Sequence, residues 1–247
     1  MYARMIVRDF TRNRGVTVVL VVLMMLSVLL ATASAGTLTR LLGAASSLME
    51  RADAPHVVQM HAGAYDQAEV NRWAAGRPEV AHHQVMLMLG IDGANLLFDG
   101  APQTENIQQN SLVVPNAQRD LLLDLDNQPI TEVAPGTIVL PVIYEGMDDL
   151  GVGDPVTISA ADGFRKDFTI AAFARDSIMN PALASSKRLA VSAADLEEVR
   201  AHTGGVEQLV EFWLHEPGTQ TAAFQKAYLE SDMPKAGQMS TPRRSGS

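Results

Sequence analysis

The sequence predicts an α+β fold in which a single N-terminal transmembrane helix precedes a mixed α/β extracytoplasmic domain with a β-rich insertion. Two observations lead to this prediction. The chain carries no charged residue from Gly15 to Thr39, and beyond residue 52 strand-like and helix-like segments alternate, with paired strands in the middle. The predicted boundaries are 1–14 for a basic cytoplasmic juxtamembrane segment, 15–52 for the transmembrane helix and stalk, 53–235 for the domain with its insertion at about 92–175, and 236–247 for a disordered tail.

The composition excludes several classes of protein. The 247 residues are 47% hydrophobic and 19% charged, which is enough apolar material for a sizeable core. The absence of cysteine excludes disulfides, cysteine-ligated zinc and thiol catalysis. A net charge of −9 argues against nucleic-acid binding. The basic residues of the head are Arg4, Arg8, Arg12 and Arg14.

The uncharged run 15–39 spans about 37 Å as a helix, and a bilayer core is about 30 Å thick. The alternative is a signal peptide cleaved after Ala33-Ser34-Ala35. We favour a retained helix because the run exceeds the usual apolar region of about 7–15 residues and its helical pattern continues to Met49. The arginines then keep the N-terminus in the cytoplasm. Residues 2–12 form either an interfacial helix or an unstructured basic flank.

The first part of the body predicts a strand, a helix and a hairpin. Asp66 is a favourable N-cap, and Gly76 ends the helix that it begins. Asp92-Gly93 is a turn signal between two apolar runs, which predicts the hairpin. These elements span residues 57–61, 66–76, 83–91 and 96–98, and a polar exposed loop follows at 99–111.

Turn residues also delimit the elements of the second part. Asp162-Gly163 predicts a second hairpin, and Ser192 caps a helix that Gly204-Gly205 stops. The predicted strands are 137–140, 156–159, 166–174, 189–191 and 208–215, and the predicted helices are 141–150, 192–203 and 219–229.

Three groups of residues are candidates for sites of chemistry. The first is the set of histidines His56, His61, His82 and His83. Adjacent residues of a strand point to opposite faces, so His82 and His83 do not readily share a metal ion. No carboxylate lies at a recognisable ligand spacing from them. We therefore expect surface or strand-edge histidines.

The other two groups are an acidic set and a glycine turn. Asp120, Asp124 and Asp126 lack the glycine and the distal glutamate of a calcium loop, which favours a solvated acidic edge. Gly151-Val152-Gly153-Asp154 lacks the lysine and the helix of a phosphate-binding loop, which favours a tight turn before a strand. The sequence thus predicts no catalytic, cofactor-binding or metal-binding residue and no enzymatic activity.

Taken together, the order of the motifs resembles a known family. A head ending in Arg12-Asn13-Arg14 precedes one apolar helix, and an acidic outer domain follows. Within that domain lie three characteristic stretches, residues 136–141, 150–158 and 168–173. This arrangement resembles the extracytoplasmic core of FtsX-like, MacB-like permeases of ABC transporters, over roughly residues 4–230. The segment 110–126 resembles a subset of these permeases.

The resemblance implies a mechanotransmitting role. A cytoplasmic ABC ATPase would hydrolyse ATP, and the membrane helices would carry the movement to the outer domain. That domain would act on a peptide, a lipid, a lipoprotein, a drug or a partner protein. The implied partners are the membrane, the ATPase subunit and a second permease subunit as dimer partner, with no nucleic acid and no cofactor.

One departure from the family affects this expectation. Family members carry further spans after the outer domain, and the sequence here shows none. We therefore expect a fragment, a truncated product or a separate anchored subunit that does not transport alone. The alternative function is a secreted or bilayer-anchored extracytoplasmic binding protein without an ATPase partner.

Overall fold

The computed structural model describes residues 14–105, 108–147, 150–179 and 186–242. The chain divides into two compact units with the boundary between Ser47 and Leu48. The predictions for the basic segment at residues 1–13 lie outside the described residues.

The first unit is dominated by one long helix, α1 (Arg14–Arg51), which has 38 residues. It continues beyond residue 39, as the helical pattern to Met49 predicts, and the stalk itself stays a prediction. Large apolar side chains between Val18 and Leu30 are exposed along it. Among the residues whose side chains are described, no helix combines the length and the hydropathy that a membrane crossing needs. The transmembrane assignment stays a prediction.

The second unit is built on one large sheet, which gives the α+β fold that the sequence predicts. Its strands are β1 (Val57–Ala62), β2 (Val80–Ile91), β3 (Leu96–Phe98), β4 (Ala101–Pro102), β5 (Gln109–Val113), β8 (Thr137–Pro141), β9 (Pro155–Ser159), β10 (Arg165–Ala174), β11 (Ser186–Ala190), β12 (Val206–Leu214) and β13 (Met239–Ser240). Two further strands, β6 (Leu122–Leu123) and β7 (Pro129–Ile130), form a second, two-stranded sheet.

The strand order across the described sheet is β13-β1-β12-β2-β5-β11-β8-β10-β9-β3-β4. Most neighbours are antiparallel, but β5 runs parallel to β11 and β8 runs parallel to β10. The predicted insertion at 92–175 supplies many of these strands. Because β5 and β8 pair directly with strands of the flanking segments, most strands of this range continue the main sheet, and β6 and β7 form the small second sheet.

One predicted hairpin is confirmed and the other is wrong. β9 and β10 pair antiparallel across the Asp162-Gly163 turn, as predicted. β2 does not pair with β3, because both of its edges are occupied by β12 and β5. Asp92 instead caps a short 3-10 helix (Gly93–Asn95), and β3 pairs with β9. The turn signal was correct, but the partner strand lies elsewhere in the chain.

Three further predictions need correction. The polar loop at 99–111 contains β5, whose residues Asn110–Val113 are buried because it is an interior strand of the sheet. The predicted helix 141–150 is reduced to one 3-10 turn (Val142–Tyr144) in the described residues. The tail prediction for 236–247 is wrong at 239–240, where β13 pairs with β1; residues 243–247 lie outside the described residues.

Three helices cover the sheet: α2 (Gln67–Ala75), α3 (Ala193–Arg200) and α4 (Pro217–Leu229). As predicted, the side chains of Asp66 and Ser192 cap α2 and α3 by accepting backbone N–H groups. α2 and α4 enclose an aromatic core in which Phe212 of β12 packs edge-to-face against Trp73 and Phe224. Residues of α3 pack into a second core under the central strands.

A substitution at Gly237 tests how closely the chain before β13 packs against β1. A Cβ atom added there would lie 2.4 Å from the carbonyl oxygen of Met60, a backbone atom that cannot move away easily. We expect Gly237→Ala to lower the free energy of unfolding by about 1–3 kcal/mol through overpacking. Gly204→Ala is the matched control because its Cβ would meet no atom within 4 Å. Thermal denaturation of both variants compares them, and equal melting temperatures would contradict the close approach.

Candidate functional site

The four histidines do not converge on a metal site. His56 accepts a hydrogen bond from the backbone N–H of Leu214, and His61 accepts one from Ala236. His82 packs against Trp213, and His83 stacks on Phe212. Burial lowers the pKa of both His82 and His83. Among the described residues, no group of three histidine or acidic side chains is arranged to hold a metal ion.

The aspartates separate into two environments. Asp120 is buried, whereas Asp124 and Asp126 lie on an accessible turn. The Asp124 carboxylate accepts hydrogen bonds from the N–H groups of Asp126 and Gln128 at 2.9 and 2.7 Å, which closes the turn between β6 and β7. The sequence placed all three on one acidic edge, and tertiary packing removes Asp120 from it.

The glycine segment is a turn, as the sequence favours. The Asp154 carboxylate accepts the N–H of Gly151 at 2.7 Å, and Gly153 has a φ of +99°. Gly153 donates its N–H to Ile170, so the turn delivers the chain into β9 beside β10. A residue with a Cβ is strained at this φ, which explains the glycine.

A buried ion cluster is the most polar feature of the interior. The Arg188 guanidinium on β11 forms ion pairs with Asp120 and with Asp176, and the bonds to Asp176 are 2.6 Å long. Arg188 is 2% exposed and Asp120 is 1% exposed. Burial alone would raise the pKa of Asp176, but Arg188 holds it below its usual value. Asp120 has a φ of +47°, a conformation that is tolerated by aspartate and stabilised here by its ion pair.

Glu211 of β12 adds a third carboxyl group to this cluster. It is fully buried, and burial together with the neighbouring Asp120 raises its pKa well above the usual range. Burial therefore favours the protonated form of Glu211, and one of its carboxyl oxygens accepts a hydrogen bond from the Gln84 amide. This proton lets two carboxyl groups approach each other beside a single guanidinium.

The backbone N–H groups of Asp120 and Leu121 hold the residues that follow α1. We call residues 52–56 the elbow. Its carbonyl oxygens at Ala52 and Asp53 accept the N–H groups of Leu121 and Asp120 at 2.8 and 3.1 Å. The indole N–H of Trp213 donates to the same Asp53 oxygen at 3.0 Å. Ala52 is fully buried, so the chain leaves the helix along a fixed path.

An open groove lies a few residues further along that segment. It is lined by residues 124–126, 145–146, 150–152 and 171–173 and has a volume of about 430 Å³. The exposed apolar side chains of Leu125 and Val152 lie on its walls, 38% and 66% exposed. Asp124, Asp126 and Glu145 supply the charges of the described lining, which holds no lysine or arginine.

Arg175 attaches residues 124–126, which form the acidic wall of the groove, to the end of β10. Its guanidinium donates to the side chain of Asn127 and to the carbonyl of Leu125, both at 2.6 Å. Its backbone forms a bridge with Leu123. Because Arg175 is followed by Asp176, the groove and the buried ion cluster share consecutive residues of one chain segment.

Sequence reasoning found the acidic residues but missed the groove. Nothing in the sequence around Leu125 or Val152 indicates a binding surface. The groove exists only because the fold brings these two exposed apolar residues together. Of the buried partners, only Glu211 gave a weak signal, since its charge lies inside the predicted strand 208–215, whereas Arg188 lies just before the predicted strand 189–191.

Comparison with known proteins identifies fold similarity alone. No family model and no curated protein sequence matches the chain. The crystal structure of the periplasmic region of MacB from Actinobacillus actinomycetemcomitans has a TM-score of 0.43 at 10% identity, covering 78% of this chain and 92% of that one. A putative lipoprotein from Bacillus anthracis has a TM-score of 0.37 at 7% identity, covering 69% and 90%. At these values neither similarity assigns a function.

The protonated state of Glu211 predicts an unusual pH dependence. A raised folded-state pKa means that Glu211 favours folding below its unfolded-state pKa and that this stability is lost as the pH rises toward the folded-state value. Glu211→Gln replaces the protonated carboxyl group with a neutral amide of similar shape, whose oxygen can still accept the hydrogen bond from Gln84. We expect the variant to be more stable than the parent at pH 7 and to differ less at pH 4.

Urea denaturation at both pH values, followed by tryptophan fluorescence, measures this difference. Glu207→Gln on the same strand is the control, because Glu207 bonds to Gln109 at the less buried end of β12. A Glu211→Gln variant that is destabilised at pH 7 would show that the carboxyl group is ionised in the folded protein.

Removal of Arg188 tests the ion cluster itself. Arg188→Met leaves Asp120 and Asp176 buried without their cation, and breaking a buried pair costs about 3–5 kcal/mol. Arg200→Met removes an exposed ion pair with Glu197 and should cost at most about 1 kcal/mol. Denaturation midpoints compare the two variants, and similar midpoints would rule out a structural role for the cluster.

Proposed function

We propose that the chain is the membrane-anchored portion of an ABC transporter permease whose extracytoplasmic domain transmits motion or contacts a substrate or partner. The domain is non-enzymatic in this proposal, and it works with a cytoplasmic ATPase and a second permease subunit. The sequence resemblance supports it, because its three stretches 136–141, 150–158 and 168–173 correspond to β8, the turn with β9, and β10, which are neighbours in the sheet.

The observation that carries the proposal is the attachment of the elbow. Mechanical transmission requires that the end of a helix be fixed to the element that moves. Backbone bonds from residues 120 and 121 fix the elbow, and the Asp120 side chain fixes the same segment to Arg188. Four residues later that segment forms the wall of the groove. A displacement of the elbow would therefore reach the groove through one short, doubly anchored segment.

The anchor in this proposal is the uncharged run within α1. Its exposed valines and leucines between residues 18 and 30 have no protein core to cover them in the described chain. A bilayer would cover them, and the arginines of residues 1–14 would hold the N-terminus in the cytoplasm. The second unit would then lie outside the cell membrane.

Single cysteines test the topology without background, because the natural chain has none. Glu230→Cys on α4 should react with a membrane-impermeant maleimide on intact cells, since Glu230 is exposed. Arg4→Cys should react only after the membrane is opened. Labelling of Arg4→Cys in intact cells would contradict the proposed orientation, and recovery of the Glu230→Cys protein from the soluble fraction would contradict the anchor.

Association with an ATPase tests the transporter assignment. The full chain, purified from its own membranes in mild detergent, should retain a nucleotide-binding ATPase subunit that mass spectrometry identifies. A second single-span protein of similar charge, purified in parallel, controls for non-specific capture. Absence of any ATPase after chemical cross-linking in the membrane would count against this function and leave the binding-protein alternative.

A further inference from the structure

One edge of β10 has unpaired backbone groups in the described chain where it lines the groove. On one side β10 is paired with β8 along residues 169–174. On the other side β9 pairs only as far as Thr169, and the turn before β9 bonds to Ile170 at 2.8 and 2.9 Å. The next contact on that side is the bridge between Arg175 and Leu123. Residues 171–173, which line the groove, have no strand beside them there among the described residues.

The gap has the dimensions of a short strand. Residues 170 and 175 are occupied on this side, so the open stretch is 171–174, about 13 Å of extended chain at about 3.3 Å per residue. Both flanking contacts of β10 are antiparallel, so a chain inserted antiparallel would continue the pattern of the sheet. Unpaired strand edges recruit extended peptides through backbone hydrogen bonds, and the neighbouring side chains supply selectivity.

The walls of the gap define the side chains that such a peptide should carry. Asp124, Asp126 and Glu145 favour lysine or arginine, and no basic side chain of the described lining competes with them. Leu125 and Val152 favour apolar side chains on the alternate positions. An extended segment alternates its side chains between two directions, which matches a basic and apolar alternation.

We propose that this groove binds an extended segment of a partner protein, with alternating basic and apolar residues, as an added antiparallel strand on β10 between Gly153 and Leu123. The inference deepens the proposed function by naming the kind of partner that the outer domain contacts. Residues 120–126 both bond to the elbow and line the groove, so a peptide bound in the groove would act on the elbow that follows α1.

A labelled Lys-Val-Lys-Val-Lys peptide with blocked ends is the probe, titrated by fluorescence anisotropy against the full chain in an uncharged detergent. Glu-Val-Glu-Val-Glu is the charge-reversed probe. We expect the lysine probe to bind roughly tenfold or more tightly than the glutamate probe at low salt, and the difference to shrink as salt screens the carboxylates.

Two versions of the lysine probe separate strand pairing from charge attraction. One is N-methylated at the first, third and fifth residues and the other at the second and fourth. Only one edge of an added strand bonds to β10, so only one version should lose binding. Equal affinity of the two versions would overturn the strand-addition proposal.

Charge reversals on the protein locate the site. Asp126→Lys and Glu145→Lys should each weaken binding of the lysine probe severalfold, because both side chains are exposed and carry no structural contact in the described chain. Glu230→Lys, an exposed position on α4 outside the groove, makes the same charge change and should leave affinity unchanged. Equal losses in all three variants would overturn the assignment to the groove.

Sedimentation of the same variants identifies the competing occupant. If the chain self-associates without probe and Asp126→Lys dissociates it, a second copy fills the groove and the proposal is overturned. The titration needs no ATPase, so a failed probe leaves the transporter assignment standing. A missing ATPase likewise leaves the groove measurement valid.

Discussion

The ion cluster around Arg188 is the constraint on which the arrangement of the second unit depends. A guanidinium that is 2% exposed is stable only if carboxylates accompany it, and these come from distant parts of the chain. Asp176 follows β10, Asp120 precedes β6, and Glu211 lies on β12. Satisfying Arg188 therefore brings the segments of Asp120 and Asp176 together at one point, with Asp120 held at a positive φ.

This cluster also lies on the chain segment that joins the elbow to the groove. Residues 119–128 contact the elbow at their beginning and form the groove wall at their end. Between these points the segment is held by Asp120 on Arg188 and by Leu123 on Arg175. A segment with two such anchors moves as a unit, because bending it would break a buried ion pair. A flexible loop of the same length would not transmit a displacement.

The local elements were predicted more successfully than their pairing. The caps at Asp66 and Ser192, and the β9–β10 hairpin, follow from signals within a few residues of sequence. β5 was missed because its buried polar residue Asn110, next to glutamines, reads as a surface loop. The hydroxyl group that donates to its side-chain oxygen, that of Tyr144, lies 34 positions away. The β2–β3 hairpin failed for the same reason, since the partners of β2 are distant in sequence.

The sequence by itself determined the alternation of strands and helices, the uncharged helical segment and the acidic character of the body, because these depend on composition and short-range periodicity. Only the tertiary structure decided which acidic residues remain accessible, since burial of Asp120 depends on Arg188 and separates it from Asp124 and Asp126. The tertiary structure also decided that β10 keeps an edge unpaired, within the described residues, next to the exposed side chains of Leu125 and Val152. A groove is a property of the space between segments, and no single segment encodes it.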